Sequence, residues 1–300
     1  MEMIMELRHI RYFLMVAEER HFTRAAARLG IGQPPLSQQI KDLEREVGAQ
    51  LFRRTPHGAE LTEAGSAFLS VIRDLPGTAA RGALAARRVA RGESGILRVG
   101  FTASSMFNSA VPAAIRTFRR AYPDVALELE EKNTRDLLDG LNSGALDAAF
   151  LRPGTAGTDR LQVRMISEEP MMIVLPESHA LSDQASVHLS GLAGEEFVIF
   201  PREAGPSLYD SVTEACRDAG FEPHITQFAP QLATVLHLVA AEVGVAIVPL
   251  SMSSVRTRGV VYKTISGEAP VARIALATRV TDASATVRNF IMQTIALNGS

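Results

Sequence analysis

The run GQPPLSQQIKDLE, from Gly32 to Glu44, constrains the fold more than any other stretch of the chain. Two adjacent prolines suit the start of a helix, because the first-turn N–H groups have no intrahelical partner and the φ of proline is already helical. From there the apolar residues recur at Leu36, Ile40, Leu43 and Val47, one stripe of a 3.6-residue helix, and Gly48 supplies its stop. Gln38, Lys41 and Arg45 point opposite that stripe, with Ser37 on its flank. Such a helix needs something to pack on, and the flanking sequence provides it. Upstream, Leu7, Ile10, Phe13, Leu14 and Ala17 line one face of a helix ending near Glu18. HFTRAAARLG follows as a short helix, with Thr23 as its expected N-cap and Gly30 as its stop. Two short helices joined by GIGQ, the second with a polar leading face, follow the logic of a helix-turn-helix. Downstream, AQLFRRTPHGAELT reads as two very short strands around Pro56–Gly58, a wing carrying Arg53 and Arg54.

A second helical pattern runs from Thr62, with Phe68, Val71, Ile72 and Leu75 as its stripe and Ala79, Ala83, Ala86 and Val89 extending it. A long helix with a narrow stripe of small residues pairs readily with a copy of itself. Pro76–Gly77 interrupts this one, so a kink or two segments are expected there. RGESG (91–95) reads as a linker. Beyond it the pattern changes. Strands are expected over 96–101, 125–131, 148–151, 171–176, 197–200, 224–228, 245–249, 260–264 and 272–278. Helices are expected over 108–121, 134–143, 207–219, 231–242 and 284–297. This alternation predicts an α/β architecture with a mostly parallel sheet covered on both faces. So many strands divide better into two lobes than into one sheet.

Hydrophobic residues make up 46% of the chain and charged ones 21%, an ordinary globular balance. The single cysteine, Cys216, excludes an intrachain disulfide and a cysteine-rich zinc site, and fits a reducing compartment. Neither a membrane-spanning stretch nor a signal peptide is legible, so a cytoplasmic protein without membrane partners is expected. Charge is unevenly spread. Residues 1–92 carry 14 Lys and Arg against 10 Asp and Glu, whereas residues 93–300 carry 17 against 23. A basic first third on an acidic body points to a local polyanion site.

Glutamine and serine at the leading end of the Gln33 helix suit base edges and phosphates in a major groove, and Arg53 and Arg54 suit the phosphate backbone. The alternative is a solvated bundle helix. Enzyme readings find little support. No G-x-S-x-G, P-loop, dinucleotide fingerprint or H-E-x-x-H is present. The histidines (His9, His21, His57, His179, His188, His224 and His237) include no i,i+4 pair on one helix, so no metal or cofactor is expected. Ser104 and Ser105 lie between a strand and a helix, where hydroxyls and free N–H groups suit an anion or simply cap the helix. Asn133–Thr134 sits at another such turn, and Arg152–Pro153 and Pro201–Arg202 follow strand ends. Ligands gather beyond the carboxyl ends of strands in α/β sheets. Together these turns predict a cleft for a small carboxylate. Each arginine alone also reads as a surface ion-pair partner.

The run ELRHIRYFLMVAEERHFTRAAARLGIGQPPLSQQIKDLEREVGAQLFRRTPHGAELTEAG strongly resembles the LysR-type transcriptional regulators, and the match extends over the whole chain. QPPLSQQI, VGFTAS, FPREAGPS and LVAAEVGVAIVP are similar to the branch that responds to small organic acids, including regulators of aromatic degradation and of acetoin or butanediol metabolism. The resemblance implies a winged helix-turn-helix over 1–61, a linker and dimerisation helix over 62–92, and a two-lobed effector domain over 93–300 like periplasmic solute-binding proteins. Lobe I would take about 96–166 and 267–300, and lobe II about 167–266. It further implies DNA contacts from Thr23, Gln33, Pro34, Pro35, Ser37, Gln38, Arg53 and Arg54. Ser104, Ser105, Thr134, Arg152, Pro201, Arg202 and Leu232 would surround the effector. Leu208 and Leu232 give the second-lobe wall no aromatic shelf. The expected partners are a pseudo-palindromic stretch of double-stranded DNA, a small carboxylate, further copies of the chain as a dimer or tetramer, and RNA polymerase. The rival readings are a regulator whose C-terminal domain serves assembly alone, an enzyme, and a solute-binding module.

Overall fold

The structure, a computed structural model, describes residues 5–56, 58–154, 158–203, 205–281 and 284–298; His57 lies outside them. The chain forms two compact units, Met1–Arg87 and Arg88–Ser300.

The first unit begins with α1 (Leu7–Glu19), α2 (Phe22–Leu29) and α3 (Gln33–Val47). It continues with the hairpin β1 (Phe52–Thr55) and β2 (Gly58–Leu61), then α4 (Glu63–Ile72) and α5 (Leu75–Ala90). Leu36, Ile40 and Leu43 of α3 meet Ile10, Phe13 and Val16 of α1 in one core, where Phe13 packs on Phe52 and Phe68 at 5.1 and 5.0 Å. The α1 stripe is rotated from expectation. Leu7 is 43% exposed, and His9 is buried instead, bonded to Gln39 at 3.1 Å across the α1–α3 contact. Nor does Thr23 cap α2: the His21 ring does, accepting from Thr23 N–H at 3.2 Å, because α2 begins two residues earlier. Glu44 reaches from α3 to accept from the N–H groups of Leu51 and Phe52 at 2.8 and 3.0 Å, fixing where the hairpin leaves the core. Gly58 sits at φ +137, and a Cβ there would stand 2.2 Å from the Arg20 carbonyl, so only glycine lets β2 dock against the α1–α2 corner.

The expected long helix is two segments. It ends at Ile72 and restarts at Leu75, which places Pro76 in the first turn of α5, where its missing N–H costs nothing. Val71, expected in the buried stripe, is 81% exposed, and α5 has no buried residue among those described. Within this chain, then, α5 has no core of its own.

In the second unit β3 (Gly95–Phe101), α6 (Ala110–Ala121), β4 (Val125–Glu131), α7 (Thr134–Ser143) and β5 (Ala148–Leu151) form the parallel part of lobe I. The sixteen-residue β6 (Leu161–Pro176) then runs from lobe I into lobe II. There β7 (Ser186–Val187), β8 (Glu196–Ile199), α8 (Pro206–Asp218), β9 (His224–Phe228), α9 (Leu232–Ala240), β10 (Ala246–Pro249) and β11 (Val260–Ile265) follow. Finally β12 (Val271–Arg279) returns to lobe I, and α10 (Ala285–Asn298) covers it. The main sheet runs β4-β3-β5-β12-β6-β11-β7, with β10 also on β6; β8 and β9 form a parallel pair tied to Val245 by one bridge.

The sheet is mixed and not mostly parallel. β12 is antiparallel to β5 and β6, and β10 and β11 are antiparallel to β6. A chain that leaves one lobe and comes back crosses twice in opposite directions, so β6 and β12 pair antiparallel along the crossing. The residues of β6 before Met171 belong to that crossing and were not expected as strand. Phe118, Phe150 and Phe290 centre the core of lobe I, and Phe197, Leu236 and Val248 that of lobe II. At the crossing, the buried Glu169 accepts from Asn108 Nδ2 at 3.1 Å, from Ser251 N–H at 2.6 Å and from the Ser251 hydroxyl at 3.0 Å. One carboxylate thus ties the start of α6, the crossing strand and the turn after β10.

Candidate functional site

In the first unit, a concave surface of about 810 Å³ lies between the outer side of α3 and the hairpin. Ser37, Lys41 and Arg45 line it from α3, and Arg53 and Arg54 line it from β1. Gln33, Pro34, Pro35 and Gln38 stand at the leading end of α3, outside this lining, and Thr23 is exposed on α2. Local bonds set their directions. Gln33 donates to the Ser37 hydroxyl at 2.9 Å, and Gln38 donates to Asp42 at 2.9 Å. Arg53 pairs across the hairpin with Glu60 at 2.7 Å, and the Arg54 guanidinium lies 4.8 Å over the Phe22 ring. The Arg53–Glu60 pair is exposed and therefore weak, so an incoming phosphate can compete for the arginine. Exposed amides, hydroxyls and guanidinia on a helix and its wing, held only by local contacts, suit the chemistry of a DNA major groove and its phosphates.

In the second unit, a cavity of about 340 Å³ opens between the two lobes. Ser104, Thr134, Arg152 and Leu232 converge on it as expected residues of one lining. Arg152 follows β5 and is 3% exposed. Its Nε donates to the Ser104 hydroxyl at 3.1 Å, and its terminal nitrogens donate to the carbonyls of Ser104 and Arg273, both at 3.3 Å. Burial pushes its guanidinium down to about 10, and the charge of Glu169 partly opposes that shift. Thr134 opens α7 and is 3% exposed; its hydroxyl has no hydrogen-bond partner among the described residues. Asn133 caps the same helix by accepting from Asp136 N–H at 2.9 Å.

Three expected residues lie off the lining. Ser105 is fully buried and its hydroxyl donates to the Thr102 carbonyl at 2.8 Å. Arg202 is exposed and held by Asp210 through two bonds of 2.7 and 2.9 Å, and Pro201 stands beside it. Phe200 lines the wall instead, so the second lobe does present an aromatic face. Its signal was its place at the very end of FVIF, one residue before the proline that drew attention. Thr102, Gln231 and Pro230 also line the cavity.

Cys216 is fully buried in α8, and burial pushes its thiol up to about 12. Alkylation by iodoacetamide is expected to run roughly a hundredfold or more slower in the native protein than in urea. Comparable rates in the two states would show that α8 opens readily. No group of metal-ligating side chains occurs among the described residues, and no described helix is long and apolar enough to cross a membrane.

A basic surface on a winged helix-turn-helix, in a chain that also carries a two-lobed α/β domain with a cavity between its lobes, defines the class of DNA-binding transcriptional regulators with an effector-binding domain. Residues 7–66 match the bacterial regulatory helix-turn-helix protein model of the LysR family, and residues 90–296 match the LysR substrate binding domain. The chain belongs to the LysR family of DNA-binding transcriptional regulators and carries its effector-binding domain; its relatives are regulators and not enzymes. It is 43% identical over 274 residues to the uncharacterized HTH-type transcriptional regulator YnfL of Escherichia coli K12, covering 91% of this chain and 92% of that one. The regulator BudR of Raoultella terrigena is 39% identical over 287 residues, 96% of this chain and 99% of BudR. The crystal structure of full-length CbnR complexed with its target DNA superposes with a TM-score of 0.84 at 28% identity, covering 97% of this chain and 99% of that one.

Proposed function

We propose that this regulator binds a pseudo-palindromic promoter site as a homo-oligomer and that a small carboxylate in the interlobe cavity changes how it holds the DNA. The observation that carries the effector half is the convergence of a buried arginine, a serine hydroxyl and an unpartnered threonine hydroxyl on one enclosed space. Such a set suits an anion. The DNA half rests on residues 1–61 as the reading head, with Gln33, Ser37 and Gln38 towards bases and Arg53 and Arg54 towards phosphates. The exposed α4 and α5, over 62–92, pair with a second copy, which would cover Val71, Leu84 and Val89. Residues 93–300 carry the effector. An acid that binds one lobe arrangement better than another shifts the assembly by that difference in affinity.

The test is a footprint on the DNA upstream of the protein's own gene, with and without a panel of small carboxylates. Protection that shortens or shifts with one acid supports the reading. Protection unchanged by every acid favours the rival in which the cavity domain serves assembly alone. In the same assay, Gln33→Ala is expected to reduce discrimination between sites by about 1–3 kcal/mol while leaving non-specific affinity intact. Arg53→Ala is expected to weaken all sequences together and flatten the salt dependence by roughly one phosphate contact. Unchanged site preference in the Gln33 variant would remove that residue from base reading.

A further inference from the structure

We propose that the cavity selects a monocarboxylate with a compact apolar body and discriminates against dicarboxylates of matched length. The inference rests on the cavity being the effector site. Its two walls differ in kind. On the lobe I wall, Arg152, Ser104 and Thr134 meet, and each of the charged or hydroxylic groups has a reason to face an anion. Arg152 is a nearly fully buried cation, and Ser104 keeps its own proton while accepting from Arg152 at 3.1 Å. Thr134 offers a hydroxyl without a partner among the described residues, at the first turn of the ten-residue α7, whose leading N–H groups have no intrahelical acceptor. Glu131 and Lys132 also line the cavity from this lobe; Lys132 is held by Glu130 at 2.6 Å and Glu131 repels a second anion, so this wall accommodates one carboxylate.

The lobe II wall presents Phe200, Leu208 and Leu232, at 4%, 3% and 5% exposure. Among the described lining residues this lobe contributes no charged side chain. Its nearby cation, Arg202, is turned outward and engaged along the Nε–Nη2 edge of its guanidinium by both carboxylate oxygens of Asp210. Gln231 and the first turn of α9 do reach the cavity, and they suit a neutral acceptor such as a hydroxyl or carbonyl. A helix end alone does not offset the desolvation of a second carboxylate, which needs a paired cation when buried. The lining therefore changes from anion-binding to apolar across the cavity, and the ligand should run from a carboxylate to an apolar body in the same direction.

Calorimetry and thermal shift on the full-length protein test this with matched acids: valerate against glutarate, and benzoate against terephthalate. In at least one pair the monocarboxylate is expected to bind at least about tenfold tighter. Leu232→Lys, which adds a cation to the apolar wall, is expected to bring the dicarboxylate of that pair to within about threefold of its partner. Equal or tighter binding of both dicarboxylates by the unaltered protein would overturn the selectivity while leaving the effector site standing. No binding by any of the four acids would overturn the effector site, and the selectivity with it.

Discussion

Arg152→Met is expected to separate ligand response from stability: affinity for the acid that binds the unaltered protein falls roughly 100-fold, while the fold is as stable as before or more so. The two expectations share one cause. Burial pushes the Arg152 guanidinium down to about 10, so keeping it charged in the folded protein costs about 3 kcal/mol. Among its hydrogen bonds are those to one hydroxyl and two carbonyls, neutral acceptors that return only part of that cost. Methionine fills a similar volume without charge. Glu169, left without this distant cation, keeps its own donors from Asn108 and Ser251. On the proposed function, a destabilising cation held for an anion is a familiar trade of stability for function. Calorimetry for the ligand and urea unfolding for the fold check the two halves. A large fall in stability would mean that Arg152 is chiefly a structural tie between β5 and the crossing strand β12.

Glu169→Ala should do the reverse, with a loss of about 3 kcal/mol in the second unit. The carboxylate accepts three hydrogen bonds at a site 8% exposed, and alanine strands the Asn108 amide and the Ser251 N–H where little water reaches. Glu169→Gln keeps an acceptor oxygen and should lose less than half as much. Urea midpoints at constant slope measure both. Equal losses in the two variants would place the effect in the charge and not in the acceptor geometry.

Much of the first unit was legible because its signals are local. Pro34, Pro35, Gly30 and Gly48 set helix ends through their own φ preferences, and the Leu36–Ile40–Leu43 stripe depends only on residues one turn apart. Even the failures there were local competitions. His21 outdid Thr23 as the cap of α2, and the break at residues 73–74 moved Pro76 into a first turn, which freed α4 to turn Val71 outward. In the second unit the ends of strands marked Ser104, Thr134 and Arg152 correctly as neighbours of one space, since the carboxyl ends of the parallel strands β3, β4 and β5 lie along one edge of the sheet.

By itself, then, the sequence determined the helix-turn-helix and its wing, the change to alternating strands and helices, the family, and a cavity wall made from strand-to-helix turns. Only the tertiary structure decided that Ser105 turns inward, that Arg202 is spent on Asp210, that Phe200 faces the cavity, and that Glu169 is buried at the crossing. Glu169 meets Asn108 and Ser251 across 61 and 82 residues of chain. Caps, stops and stripes act within a turn of helix, where the sequence order is also the spatial order. Which way a side chain faces in a sheet depends on the partner strand, and β6 acquires its partners only when the chain crosses between the lobes and returns.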